Sequence, residues 1–228
     1  MKRIGIVVIT TVGACICINE IVAAAARKDD TGAHPEYVSI AFSFDRYKEK
    51  VIQKDWIGMG DIILEAINKL KLLEVDFVII PSNTPHYAIE YIQKNSPLPV
   101  LNLLELTINE CVRQNYRRVA VLGTFSTMQD GLYANALESR GIIPVIPDMM
   151  LCKQIDRLIM EEIIPFKIST ESVSKVSDKI KCLECDAIIL GCTELPEVYN
   201  AKNLGNPVID TTRLLAREAL MFALAPTF

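Results

Sequence analysis

Basic runs are missing from this chain. None of its 24 Lys and Arg residues forms a cluster longer than a pair such as Arg117-Arg118, and the net charge is −4. A nucleic-acid backbone is gripped by a continuous cationic footprint, so nucleic acid is not expected as a partner. Long apolar runs are missing too. The stretch Ile4 to Ile18 is broken by Asn19-Glu20 after 15 residues, short of the roughly 20 that a helix needs to cross a bilayer. Behind Lys2-Arg3 and ahead of Ala23 to Ala26, this stretch has the outline of a secretory leader. The polar break, and an internal counterpart of its first part, point instead to a strand of the fold, and no membrane partner is expected.

Metal-ligand patterns are equally scarce. Cys182-Leu183-Glu184-Cys185 has CxxC spacing, but no second CxxC follows and no His lies near it, so it reads as small helix or loop residues rather than a zinc site. The seven cysteines (15, 17, 111, 152, 182, 185 and 192) are an odd set. A chain of this size has no need of disulfide staples, which favours a reducing, cytoplasmic setting. What the chain does have is apolar residues: half of 228, enough for one or two compact α/β domains and too many for disorder.

Those apolar residues are organised by an internal duplication. Asp76-Phe77-Val78-Ile79-Ile80-Pro81-Ser82-Asn83-Thr84 and Asp186-Ala187-Ile188-Ile189-Leu190-Gly191-Cys192-Thr193 share a pattern of Asp, four apolar residues, a turn former and small polar groups, 110 residues apart. Arg3-Ile4-Gly5-Ile6-Val7-Val8-Ile9-Thr10 and Arg118-Val119-Ala120-Val121-Leu122-Gly123-Thr124 form a second pair, 115 residues apart. Short continuous apolar runs bounded by Pro or Gly read as strands buried on both faces, the signature of parallel sheets. Helical patterns lie between them, such as Gly60 to Leu73 and Leu103 to Cys111. Alternating strand and helix predicts right-handed βαβ units, giving two similar α/β domains related by a pseudo-two-fold axis. The predicted boundaries are 1–98 plus 212–228 for the first and 99–211 for the second, with the last helix packed on the first.

Ligands of such sheets sit beyond the carboxyl ends of the strands. There the matched strands carry Ser82-Asn83-Thr84 and Cys192-Thr193-Glu194, which would flank a cleft between the halves from opposite sides. Inverting a carbon acid requires proton removal on one face and delivery on the other, so two acid/base groups are the minimal device. A thiol suits the task because its ordinary pKa lies near working pH. Backbone N–H groups and hydroxyls at loop-to-helix junctions can hold a carboxylate. Taken alone, Cys192 also fits a packed small hydrophobe. Its place opposite Ser82 in the duplication, followed by Thr and Glu, argues for chemistry.

Gly191-Cys192-Thr193-Glu194-Leu195-Pro196 resembles the second signature of the aspartate/glutamate/hydantoin racemase superfamily. Pro81-Ser82-Asn83-Thr84-Pro85-His86 resembles the first, which normally reads Cys-Asn-Thr-Ala-His. Leu122-Gly123-Thr124-Phe125-Ser126-Thr127, continuing through Gly131-Leu132-Tyr133 to Leu137 and Gly141-Ile142, resembles the threonine segment of the second half. The resemblance implies a two-domain α/β fold, no pyridoxal phosphate, no metal, and two facing acid/base positions, here Cys192 and Ser82. It implies that substrate carboxylates are held by Asn83, Thr84, Thr124, Thr127 and Thr193. Arg46, in Asp45-Arg46, and Lys167 resemble basic residues that bind the side-chain carboxylate of an acidic substrate, although both also fit solvated surface charges. Glu194 fits either orienting its loop or holding the substrate ammonium, and His86 fits a structural role better than proton transfer. The implied activity is cofactor-independent racemisation of aspartate or glutamate, with Cys192 as base toward the L-enantiomer. A homodimer is the simplest assembly.

Two departures bear on that activity. Ser82 stands where the family has a thiol, and a hydroxyl cannot match a thiol as a base at neutral pH without a strong activator. An introduced Cys-to-Ser change, a natural enzyme working with one thiol and a hydroxyl, and a related single-cysteine activity such as a decarboxylase all fit; so does an inactive amino-acid-binding homologue. A dicarboxylate is the substrate class of the maleate-isomerase-like alternative. The loop after the first strand, commonly Gly-Gly-Met-Gly, reads Val8-Ile9-Thr10-Thr11-Val12-Gly13, where the Thr10 and Thr11 hydroxyls could bind a carboxylate instead.

Overall fold

The computed structural model describes residues 1–28 and 33–226. The chain divides into two compact units, Met1–Leu103 with Thr212–Phe228, and Leu104–Thr211. In the first unit, β1 (Ile4–Val8) lies between β2 (Tyr37–Ala41) and β3 (Phe77–Ile79), all parallel. Val78 bridges Val100 in parallel beyond β3. Between the strands run α1 (Thr11–Ala26), α2 (Phe44–Ile52) and α3 (Trp56–Leu72), and α4 (Ile89–Asn95) follows β3.

The second unit repeats this order. α5 (Leu103–Arg113) leads into β4 (Arg118–Leu122), which lies between β5 (Ile143–Val145) and β6 (Ala187–Leu190), and β7 (Val208–Asp210) pairs with the far side of β6. Its helices are α6 (Phe125–Gln129), α7 (Leu132–Glu138), α8 (Met149–Arg157), α9 (Thr170–Ile180) and α10 (Ala201–Leu204). The final α11 (Thr211–Leu224) lies almost wholly in the first unit. The α/β class and the parallel sheets expected from the alternation are present, and the two matched pairs occupy equivalent places: β1 and β4 are the central strands, β3 and β6 their neighbours.

The repeated Arg and Asp perform one task twice. Asp76 Oδ2 accepts the Arg3 N–H at 2.6 Å, and Asp186 Oδ2 accepts the Arg117 and Arg118 N–H groups at 2.7 and 2.9 Å. The Arg3 guanidinium donates to the Leu73 carbonyl, and that of Arg118 to the Glu184 carbonyl. Each pair therefore satisfies backbone groups at the amino end of a central strand. The carboxyl ends are left for function.

Packing follows the periodicities. The four residues of β6 and three of β3 are fully buried, as strands covered on both faces must be. α3 buries Met59, Ile63, Ala66, Ile67 and Leu70, a stripe at helical spacing, and its start is capped by Asp55, whose carboxylate accepts the Gly58 N–H at 2.9 Å. Pro144 interrupts β5, which is tolerable because that strand is an edge. The apolar stretch at the chain start is β1 followed by α1, with Thr10 capping the helix by accepting the Gly13 N–H. Ala24 and Ala25 of α1 pack on Leu220 of α11, Phe222 meets Phe77 edge-on at 4.7 Å, and Arg217 pairs with Glu20. Among the described residues no helix is long and apolar enough to cross a membrane.

Candidate active site

In the first unit the loop after β3 turns into a 3-10 segment, Thr84–Ala88, with Pro85 near its start. Ser82 and Asn83 are buried there. His86 holds the loop in place. Its Nε2 accepts the Leu103 N–H at 3.0 Å, so the ring proton resides on Nδ1, which donates to the Ser82 carbonyl at 3.0 Å. Burial lowers its pKa to about 4. A neutral imidazole with both nitrogens engaged is a clamp, not a proton carrier. Tyr47 of α2, buried, brings its phenol to the Thr84 and Ser82 side chains.

In the second unit the loop after β6 holds Cys192, Thr193 and Glu194, all buried. Gly191 and Gly123, which follow β6 and β4, approach so closely that a Cβ on Gly123 would stand 2.9 Å from Thr127 and 3.1 Å from the Gly191 carbonyl. A side chain at Gly123 would force its neighbours to shift and one at Gly191 would be tight, and their backbones bring the Thr124 segment against the Cys192 loop. The Thr124 and Thr127 hydroxyls are 2.9 Å apart. Asp156 of α8 fixes the same segment by accepting the Phe125 N–H at 2.7 Å.

The Cys192 thiol donates to Glu194 Oε2 at 3.0 Å, and the Thr193 hydroxyl donates to the same oxygen at 2.6 Å. Burial pushes the thiol pKa well above its ordinary value, and the negative charge of Glu194 pushes it further. In the protein alone, Cys192 is therefore a neutral thiol with its proton held toward a buried carboxylate, a proton donor at rest. Becoming a base requires something that offsets the Glu194 charge. The group also packs in the core of its unit, as the small-hydrophobe reading of this cysteine expects.

The remaining expected residues are placed differently. Arg46 lies on α2, but its guanidinium makes a two-pronged pair with Glu65 of α3 at 3.1 and 3.2 Å, half exposed, beside a groove of about 270 Å³ that Lys50 and Asp61 also line. An exposed pair of this kind contributes only about 0–1 kcal/mol, so the guanidinium is held weakly. Lys167 is exposed after a π-helical turn, Leu158–Ile163. Thr11 is exposed as the first residue of α1, while its neighbour Thr10 caps the helix. Sequence reading missed Tyr47 and Asp156. The close spacing of Phe42, Phe44 and Tyr47 was the available signal of an aromatic cluster around Tyr47, whereas nothing local marked Asp156.

All seven cysteines are free. Among the described residues no cluster of three His, Cys, Asp or Glu side chains is arranged to hold a metal.

The family model described as Asp/Glu/Hydantoin racemase matches residues 6–219. The chain belongs to that family. It is 28% identical over 180 residues to the broad specificity amino-acid racemase RacX of Bacillus subtilis, a match covering 78% of each chain. It is 29% identical over 170 residues to the glutamate racemase of Aquifex aeolicus, covering 68% of this chain and 61% of that relative, so it spans less than two thirds of the latter. Among solved structures, an aspartate racemase homologue from Pyrococcus horikoshii superposes with a TM-score of 0.85 at 23% identity, covering 98% and 99% of the two chains. The Picrophilus torridus aspartate racemase superposes with a TM-score of 0.80 at 22% identity, covering 98% and 94%. At these identities the structural likeness is one of fold.

Proposed function

We propose that the chain is a cofactor-independent racemase of an acidic amino acid, aspartate or glutamate, working by α-proton abstraction and reprotonation. The observation that carries this reading is the Cys192 thiol, buried at the end of β6 and hydrogen-bonded at 3.0 Å to a buried carboxylate. Glu194 gives the thiol its direction and a switch. On binding, the α-ammonium of the amino acid pairs with Glu194 and offsets the charge that keeps the thiol protonated; the thiol releases its proton to solvent water, and the thiolate then removes the α-proton. Carbon–hydrogen bond breaking leaves the proton on Sγ and the electron pair delocalised into the α-carboxylate. Hydroxyls of Thr193, Thr124 and Thr127 are proposed donors to a substrate carboxylate, and Asn83 and Thr84 are proposed for the same role on the Ser82 loop. Arg46 and Lys167 are the proposed cationic contacts to a side-chain carboxylate, Arg46 after release from Glu65. Thr11 is proposed as a further hydroxyl donor.

Ser82 occupies the position of the second acid/base. A hydroxyl can give a proton to a carbanion but is a poor base at neutral pH, which favours exchange on the Cys192 face over full racemisation. The test is α-proton exchange in heavy water over a panel of L- and D-amino acids, run on the parent chain, Cys192→Ala and Ser82→Cys. Cys192→Ala is expected to abolish exchange, and Ser82→Cys to raise the rate of enantiomer interconversion. Exchange that is indifferent to Cys192→Ala refutes the reading. Binding of succinate-like diacids, with no exchange of any amino acid, favours a decarboxylase- or isomerase-like enzyme instead. Binding of amino acids without exchange marks a binding protein.

A further inference from the structure

Tyr47 buries a hydroxyl that no hydrogen bond of acceptable geometry satisfies. The residue is 4% exposed, and its ring packs against those of Phe42 at 6.2 Å and Phe44 at 5.9 Å, centroid to centroid. Such burial leaves the phenol little freedom to seek a partner elsewhere. The polar side chains that act on it are those of Thr84 and Ser82, on the loop beyond the carboxyl end of β3, where parallel α/β sheets place their ligands. A buried hydroxyl without a partner costs stability, so its retention calls for an explanation. Burial also pushes the phenol pKa upward, which keeps the group protonated and makes it a donor. Its neighbour Arg46 is engaged by Glu65. Of these two α2 residues, only the neutral one meets the loop.

We propose that Tyr47 is a substrate-binding residue whose phenol O–H donates a hydrogen bond to a carboxylate oxygen of the amino acid bound at the Ser82-Asn83-Thr84 loop. The inference rests on the racemase reading above. A phenol donating to a carboxylate makes a charge-assisted bond, stronger than one between neutral groups, and a donor already buried and fixed in place loses little freedom on binding. Carboxylate recognition by this loop then relies on neutral hydroxyls, which hold an anion without drawing the α-proton chemistry toward a fixed positive charge.

The decisive variant is Tyr47→Phe, which removes one oxygen and keeps the ring. A tyrosine that serves the fold loses stability on this change, whereas one whose hydroxyl waits for a ligand does not. The variant is expected to melt at or above the parent temperature. Its apparent Kd for L-aspartate and L-glutamate, from ligand-induced thermal stabilisation, and its KM for α-proton exchange are expected to rise roughly ten- to a hundred-fold, with kcat within about three-fold of the parent. A lower melting temperature, or failure to fold, shows a structural phenol and overturns the proposal. So do unchanged Kd and KM in a variant as active as the parent, a result that leaves the racemase reading intact. A parent that neither binds nor exchanges either amino acid refutes the racemase reading, and this inference falls with it.

Discussion

Lowering the pH from 7 to 4 forces a proton onto an imidazole that has no place for it. Nε2 of His86 is already the acceptor of the Leu103 N–H, and Nδ1 already carries the proton given to the Ser82 carbonyl. Protonation turns Nε2 into a donor facing a donor, in a site where burial alone disfavours charge. Hence the folded pKa is about 4, against an ordinary value near 6.5. The folded state binds this proton less readily than the unfolded chain, so the stabilisation is fully present above about pH 6.5 and is lost as the pH falls through about 4. A difference of about 2.5 units, at 1.36 kcal/mol each, is about 3 kcal/mol. Other groups titrate over the same range, so the measurement is a comparison. Urea unfolding of the parent and of His86→Gln is followed at pH 7, 5.5 and 4. At pH 7 the variant is less stable by about 1–3 kcal/mol, because the Ser82 carbonyl or the Leu103 N–H loses its partner. On acidification only the parent bears the imidazole penalty, so the difference between the two shifts by about 3 kcal/mol in favour of the variant, closing or reversing the gap. A gap that stays constant from pH 7 to pH 4 refutes the assignment of His86 as a neutral clamp on the Ser82 loop.

Two further outcomes concern the second unit. Glu194→Gln removes the charge that opposes the Cys192 thiolate and substitutes a group able to donate to it, so the thiol pKa falls. The pH profile of iodoacetamide labelling at Cys192, resolved by peptide mass spectrometry, moves to lower pH accordingly, and an unmoved profile shows that burial alone holds the proton. Gly123→Ala drives a Cβ to 2.9 Å from Thr127 and 3.1 Å from the Gly191 carbonyl. It lowers stability by about 1–3 kcal/mol, read from the urea midpoint at unchanged m-value, and a loss below about 0.5 kcal/mol shows that the two loops yield.

What depends on local pattern is legible in the chain. Phe77 to Ile80 and Ala187 to Leu190 are apolar without alternation because both faces are covered, and that is written residue by residue. The repeated Arg and Asp showed the duplication, and the residues after each strand named Ser82 and Cys192 as the positions to watch. Edge elements were harder to see. β2 is half exposed and β5 contains Pro144, so neither carries the signature of a buried strand. Side-chain partnerships were beyond reach, because they join residues distant in the chain. Only the tertiary structure set Glu194 against the Cys192 thiol, Asp156 beneath the Thr124 segment and Glu65 on Arg46. It alone turned Tyr47, rather than Arg46, toward the Ser82 loop. Proton affinity depends on desolvation and on nearby charge. The residue type supplied a cysteine, and its surroundings made it a thiol at rest rather than a thiolate.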